Sequence, residues 1–178
     1  MMGYYNQPEL TKEVVDNEGY FHTGDIGKLI DGKYLKITDR KKEIFKTSGG
    51  KYIAPQVMEN KFKESRFIEQ AMVVGEGEKM PAAIVQPDFN FLKEWCKRKK
   101  IDCGTNEEMI CNERVLARIT KEIEELNEDF ANYEQIKKFE VVGTQWGIDS
   151  GELTPTLKLK RKNILAKYEE LYQKIYGS

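Results

Sequence analysis

An α+β fold, with a small β-hairpin appendage ahead of a compact mixed sheet and flanking helices, is what this 178-residue sequence predicts. Three observations point to it. Two turn signals, Asp31-Gly32 and Ser48-Gly49-Gly50, separate short alternating segments in the first third of the chain. Two apolar runs, "IEQAMVVGEG" and "PAAIVQP", follow with the character of buried core strands. Helical spacing then takes over, most clearly across residues 112–130, where Val115, Ile119, Ile123, Leu126 and Phe130 recur at three- and four-residue steps. Hairpins first, then strands mixed with helices, is an α+β order.

The elements follow in turn. The first twenty residues are polar and turn-like, with one helical turn over residues 9–15. In "IGKLIDGKYLKI" the side chains of Leu29, Tyr34, Leu35 and Ile37 alternate around Asp31-Gly32, a hairpin. "EIFKT" and "KYIA" make a second hairpin. Pro55 suits the first turn of a helix through "PQVMENKFKES", with Val57, Met58 and Phe62 on one side. Asp88 can cap a helix that carries Phe89, Leu92 and Trp95 or Cys96 inward. "KKFEVV" reads as a strand and "GTQWGIDSGELTPT" as a loop. One closing helix, "KNILAKYEELYQKIY", aligns Ile164, Leu165, Tyr168, Leu171, Tyr172 and Ile175. Between the hairpins, residues 39–42 are densely charged with almost nothing to bury, and read as a hinge.

Composition narrows the function. The 29 basic and 30 acidic residues nearly cancel, which argues against a general nucleic-acid binder. Cys96, Cys103 and Cys111 lack CxxC spacing and the only histidine, His22, is distant, so a zinc site has little support. Three such cysteines suit reduced thiols in the cytosol. No run approaches ~18 apolar residues, so any membrane contact would be peripheral.

Four short constellations have chemical uses, each with an ordinary structural counterpart. Asp25 in Thr23-Gly24-Asp25 can accept two hydrogen bonds from a vicinal diol, or merely turn the chain into a strand. Arg40, in "DRKKE", can reach a nucleotide or simply face water. Gly49 and Gly50 allow close backbone approach to a ligand, or a cheap turn. Lys158, in "LTPTLKLKR", sits on a proline-stiffened loop, where an ammonium can stabilise charge on phosphate oxygens or form part of a basic patch.

Taken together and in order, "GYYNQPELTKEV", "GYFHTGDIG", "ITDRKKEIFKTSGGKYIAPQVME" and "LTPTLKLKR" resemble four blocks of the adenylate-forming acyl-CoA synthetases. The likeness covers essentially the whole chain, is closest to the long-chain fatty acid branch, and is to the C-terminal part of such enzymes. It implies a two-step reaction with ATP, coenzyme A and Mg2+, the metal held mainly through ATP and an N-terminal domain. A fatty acid carboxylate attacks the α-phosphate, and CoA then displaces AMP. Residues 1–38 would be the tail end of the N-terminal AMP-binding domain with a β-hairpin, residues 39–42 the hinge, and residues 43–178 a mobile C-terminal domain. Carried over, Asp25 binds both ribose hydroxyls, Arg40 lies close to the same nucleotide and Lys42 is the pivot. Lys158 enters the site for adenylation. After rotation Gly49 and Gly50 flank the pantetheine arm, with Lys46 nearby.

The sequence departs from the family in two ways. The common ending carries Ser/Thr-Gly-Lys, whereas Leu157 precedes Lys158 here, which leaves Lys160 as an alternative register. No Ser/Thr/Gly-rich phosphate loop and no Tyr-Gly-x-Thr-Glu segment is present, so the chain reads as an excised fragment that would not form acyl-CoA alone. The competing readings are an acyl-AMP ligase fragment serving a carrier-protein thiol, and a non-catalytic module using residues 158–162 for an acidic partner.

Overall fold

The computed structural model describes residues 1–102 and 104–177, so Cys103 lies outside the described residues. In chain order the elements are α1 (Pro8–Val14), β1 (Asp25–Ile30), β2 (Tyr34–Arg40), β3 (Phe45–Lys46), β4 (Tyr52–Ile53), α2 (Pro55–Phe62), β5 (Ile68–Val74), β6 (Ala82–Pro87), α3 (Phe89–Lys99), α4 (Asn106–Cys111), α5 (Glu113–Asn127), β7 (Phe139–Val141), α6 (Arg161–Lys167) and α7 (Glu169–Tyr176). Two antiparallel hairpins, β1-β2 and β3-β4, precede a three-stranded sheet of order β5-β6-β7. In that sheet β5 and β6 are antiparallel, and β6 and β7 parallel. The α+β expectation holds.

Both faces of the main sheet are covered, which is why its strands read as near-continuous apolar runs. Alternation sends Ala71, Val73, Ala83 and Val85 to one face, where they pack with Met58 and Phe62 of α2, Leu92 and Cys96 of α3, and Val115, Ile119 and Ile123 of α5. The opposite face carries Met72, Val74, Ala82 and Ile84 against Trp146, Leu153, Ile164 and Ile175. The start of α3 is capped as the sequence suggests: Asp88 accepts a 2.9 Å hydrogen bond from the Phe91 N–H. Asn112 likewise accepts from the Arg114 and Val115 N–H groups at the start of α5.

The first hairpin turns where expected. Asp31 and Gly32 have φ of 51° and 65°, and the Lys33 N–H donates to the Ile30 carbonyl at 3.0 Å. Its apolar side chains are left in the open: Leu29, Leu35 and Ile37 are 67%, 66% and 55% exposed. The hairpin thus presents an exposed apolar face.

Several expectations need correction. Val57 is exposed, and the buried face of α2 carries Glu59 beside Met58 and Phe62, because Glu59 has charged and backbone partners inside. The closing helix is broken into α6 and α7 at Tyr168. There the backbone leaves helical geometry (φ −115°, ψ 31°) and the phenol oxygen accepts from Trp146 Nε1–H at 3.2 Å. Helix α4 was not expected from apolar spacing, yet Thr105 and Glu108 form a full capping box at its start. Leu165 on α6 is exposed, while Cys96 is buried and Cys111 exposed.

Asp39 also departs from the picture of a wholly solvated charged stretch, being fully buried. Helix α2 begins at Pro55 with no cap from Ala54, and Asp39 supplies the missing acceptor from a distance. Its two carboxylate oxygens accept the Arg40 N–H at 2.6 Å and the Gln56 N–H at 3.2 Å. Burial foremost raises its pKa, against these two hydrogen bonds. Asp39→Ala is expected to destabilise the chain by about 2 kcal/mol through the orphaned α2 N–H, read as a lower urea midpoint at unchanged m-value.

Candidate functional site

The Thr23-Gly24-Asp25 segment is a tight turn tied to the charged stretch after β2. Gly24 has φ of 76°, the Asp25 N–H donates to Thr23 Oγ1 at 3.1 Å, and the Gly24 carbonyl accepts from the Lys41 N–H at 2.8 Å. Asp25 therefore opens β1 directly opposite Arg40, the last residue of β2. Arg40 Nε lies 3.6 Å from Asp25 Oδ1, an exposed pair of the kind that contributes at most about 1 kcal/mol. Both residues line a cleft of about 430 Å³, and Lys158, 118 positions after Arg40, lines it too. The fold thus gathers a carboxylate, a guanidinium and an ammonium from three separate motifs.

The loop that presents Lys158 is shaped by its own hydrogen bonds. The Thr154 N–H donates to the Lys158 carbonyl at 2.8 Å, the Lys158 N–H to Thr154 Oγ1 at 3.0 Å, and the Leu157 N–H to the Thr154 carbonyl at 2.8 Å. Closing so small a ring puts Leu157 at φ 58°, in the left-handed region where a side chain costs about 1 kcal/mol and glycine nothing. Position 157 is the one that glycine fills in the common Ser/Thr-Gly-Lys ending. Here a leucine holds the left-handed conformation, directly before Lys158.

Two buried carboxylates hold the feet of this loop. At the first, Glu152 accepts from the Lys167 ammonium, the Ser150 hydroxyl and the Gly147 N–H. Burial pushes its pKa up, but those three donors together outweigh burial and hold it at about 2. At the second, Arg161 Nη2 donates to both oxygens of Glu59 at 2.7 Å, Nη1 to the Val73 carbonyl at 3.1 Å, and Nε to Glu43 Oε2 at 3.4 Å. Glu59 Oε1 also accepts the Val73 N–H at 2.8 Å. Burial pushes the Glu59 carboxyl up to about 7 against the pull of Arg161. Sequence reasoning missed Glu59, Glu152, Arg161 and Lys167 as the residues that hold this loop. The one local signal was charge on an apolar stripe: Glu59 between Met58 and Phe62, and Arg161 three residues before Ile164.

Other candidates lie elsewhere. Lys42 is exposed, and it lines a second cleft of about 640 Å³ between the segment after β2, β5 and helices α6 and α7. That cleft contains none of Asp25, Arg40 and Lys158, and shares with the first only Glu43 and Arg161 and their neighbourhood. Lys46, Gly49 and Gly50 line neither. Gly50 has φ of 81° in the turn closed by the Gly50 N–H on the Thr47 carbonyl at 2.9 Å, and a Cβ there would meet Lys46 Cε at 3.6 Å. A Cβ at Gly49 would meet only Thr47 Oγ1, at 4.0 Å. The Lys46 ammonium sits 5.6 Å from the centre of the Tyr52 ring.

Comparison with known proteins adds three findings. A family described as AMP-binding enzyme C-terminal domain matches residues 42–178. The chain is 35% identical over 178 residues to long chain acyl-CoA synthetase 7, peroxisomal, of Arabidopsis thaliana, covering 98% of this chain and 25% of the relative. It is 36% identical over 179 residues to long-chain-fatty-acid--CoA ligase 1 of Homo sapiens, covering 99% and 26%. Among solved structures, the A domain of carboxylic acid reductase from Segniliparus rugosus, in complex with AMP and a co-purified carboxylic acid, superposes with a TM-score of 0.79 at 25% identity, covering 99% of this chain and 26% of that one. The chain spans about a quarter of the length of the curated relatives it matches.

The feet of the lysine loop respond oppositely to pH. Glu152, held below its ordinary 4.5, contributes stability above that value that is lost as pH falls toward 2. Glu59, held above 4.5, favours the fold below that value and loses the advantage as pH rises through about 7. Between pH 5 and 3 the chain is expected to lose up to roughly 2 kcal/mol through Glu152, a loss that urea titrations of Glu152→Gln should lack.

Proposed function

Because the chain belongs to the AMP-binding enzyme C-terminal domain family, we propose that it is the C-terminal part of an AMP-forming long-chain fatty acid–CoA ligase. It supplies the adenylation lysine and the CoA-side strand. The observation that carries this reading is the single cleft lined by Asp25, Arg40 and Lys158. The names of the matched relatives support the fatty acid and CoA as substrates, and the family match beginning at residue 42 supports a boundary at the proposed pivot, Lys42. Residues 1–38 then close an AMP-binding domain and residues 43–178 form the mobile unit. The exposed apolar face of the first hairpin packs on the rest of that preceding domain.

In the first step a carboxylate oxygen of the fatty acid attacks the α-phosphorus of ATP, and the bond to pyrophosphate breaks. Two anions must meet: at 4 Å and an effective dielectric of ~20, two unit charges repel by about 4 kcal/mol. The Lys158 ammonium, placed between them, offsets that repulsion and orients the carboxylate. Asp25 accepts from both ribose hydroxyls while Arg40 holds the nucleotide beside it. Among the described residues no group of three or more His, Cys, Asp or Glu could hold a metal ion. In this reading Mg2+ would be held mainly through ATP and the preceding domain, where it would neutralise phosphate charge.

In the second step the CoA sulfur attacks the acyl carbonyl and AMP leaves. Rotation at Lys42 withdraws Lys158 and brings Lys46, Gly49 and Gly50 to the site. The fold explains glycine at position 50 through its positive φ, but the open space at position 49 asks for no glycine. A thin pantetheine arm passing the backbone does. The proposed compartment is the cytosol, and among the described residues no helix is long and apolar enough to cross a membrane.

In a full-length enzyme carrying this chain, the two motifs should fail in opposite half-reactions. Lys158→Ala is expected to lower fatty-acid-dependent ATP–pyrophosphate exchange about 100-fold or more, and to leave thioester formation from preformed acyl-adenylate within about twofold. Gly49→Ala should do the reverse without moving the urea midpoint. Equal losses in both half-reactions for Lys158→Ala, or an equal loss from Lys160→Ala, would contradict the assignment. Acyl transfer to acyl carrier protein in preference to CoA would replace the acceptor.

A further inference from the structure

We infer that Arg161 is the positioning residue for Lys158: its guanidinium, held by Glu59 and Glu43, sets where the lysine loop stands relative to Asp25 and Arg40. The inference rests on the reading that Lys158 serves adenylation. A lysine on an exposed loop has a long flexible stem, so its useful placement depends on how the loop's base is fixed. The internal hydrogen bonds of residues 154–158 give the loop its shape but not its place.

The two feet differ in what they reach. Glu152 binds Gly147, Ser150 and Lys167, all in the polypeptide immediately around the loop and on α6. Arg161 reaches across the domain. One planar fork contacts the β5 backbone at Val73, the α2 carboxylate Glu59 and, at 3.4 Å, Glu43. Glu43 is the residue after the proposed pivot, and its Oε2 also accepts from Gln56 Nε2 at 2.7 Å. The Gln56 N–H in turn donates to Asp39. An unbroken chain of polar contacts therefore runs from the lysine loop through α2 to the hairpin that carries Arg40.

Stability alone does not account for this arrangement. A buried ion pair costs desolvation of both charges, and apolar side chains of similar volume often serve as well or better. What such side chains cannot supply is direction. Each guanidinium nitrogen of Arg161 is engaged by a protein group, so although it lines the cleft most of its hydrogen-bonding capacity is spent inside the protein. The effect assigned to it is therefore on the position of Lys158. An ammonium at 161 would lack the fork needed to meet a carboxylate and a carbonyl at once.

The test uses the full-length enzyme and four variants measured side by side: Arg161→Met, Arg161→Lys, the paired Glu59→Met/Arg161→Met, and Lys158→Ala. A 1 Å misplacement can cost about 100-fold, so Arg161→Met is expected to lower kcat for ATP–pyrophosphate exchange by roughly 10- to 100-fold, with the KM for ATP within about threefold. Thioester formation from preformed acyl-adenylate should be unchanged. The paired variant leaves no lone buried charge but unpairs the Val73 N–H and carbonyl, so it should melt below the parent, remain folded at the assay temperature, and be defective in adenylation while still forming thioester from preformed acyl-adenylate. Arg161→Lys should restore only part of the rate. Equal losses in both half-reactions, or full adenylation by the paired variant, would overturn the inference while leaving the role of Lys158 intact. Normal adenylation by Lys158→Ala would instead sink both.

Discussion

The edge of β5 at Val73 presents one N–H and one carbonyl away from β6, and the way these are satisfied organises the rest of the molecule. Glu59 accepts the N–H, Arg161 donates to the carbonyl, and the two side chains bind each other through both carboxylate oxygens. Leaving either backbone group buried without a partner would cost about 1–3 kcal/mol. A carboxylate and a guanidinium thus stand where a neighbouring strand would otherwise pair, and the sheet ends at β5. Because Glu59 belongs to α2 and Arg161 opens α6, the same contact locks the helices of opposite sheet faces together.

Helix α2 is the mooring for both banks of the cleft. Gln56, on its first turn, donates its N–H to the buried Asp39, which holds the strand ending in Arg40. Glu59, three residues on, holds Arg161 and with it the lysine loop. Asp25 stays with Arg40 through the register of β1 and β2. The Arg40 and Lys158 motifs, more than a hundred residues apart in sequence, therefore meet because each is tied to one short helix, and the Asp25 motif follows Arg40. In the pose seen here Asp25, Arg40 and Lys158 share a cleft, while Gly49, Gly50 and Lys46 lie outside it. That division matches the first of the two chemical steps proposed for this family member.

Much of the fold was legible because its signals are local. Asp31-Gly32, the apolar runs of β5 and β6, and the cap at Asp88 all act within a few residues. The Thr105–Glu108 capping box was equally local and marks α4 plainly once apolar spacing is not required of so short a helix. The break at Tyr168 was hidden, since Ile164, Leu171 and Ile175 keep helical spacing across it and only the tertiary contact with Trp146 reveals it. Glu59 was hidden for the same reason: its partner lies 102 positions away. Of the site, the four motifs were visible in their order, but only the fold shows which of them stand together. The left-handed backbone of Leu157, directly before Lys158, is likewise concealed by residue type alone.

The central claim is that Lys158 occupies the nucleotide cleft with Asp25 and Arg40, as one site. Lysine reactivity mapped by amine labelling and mass spectrometry, on full-length enzyme with and without ATP and fatty acid, tests it most directly. The account predicts that bound acyl-adenylate protects Lys158 strongly, while Lys160 and Lys162 on the same loop and helix keep their reactivity. Unchanged labelling of Lys158, or equal protection of all three lysines, would contradict it.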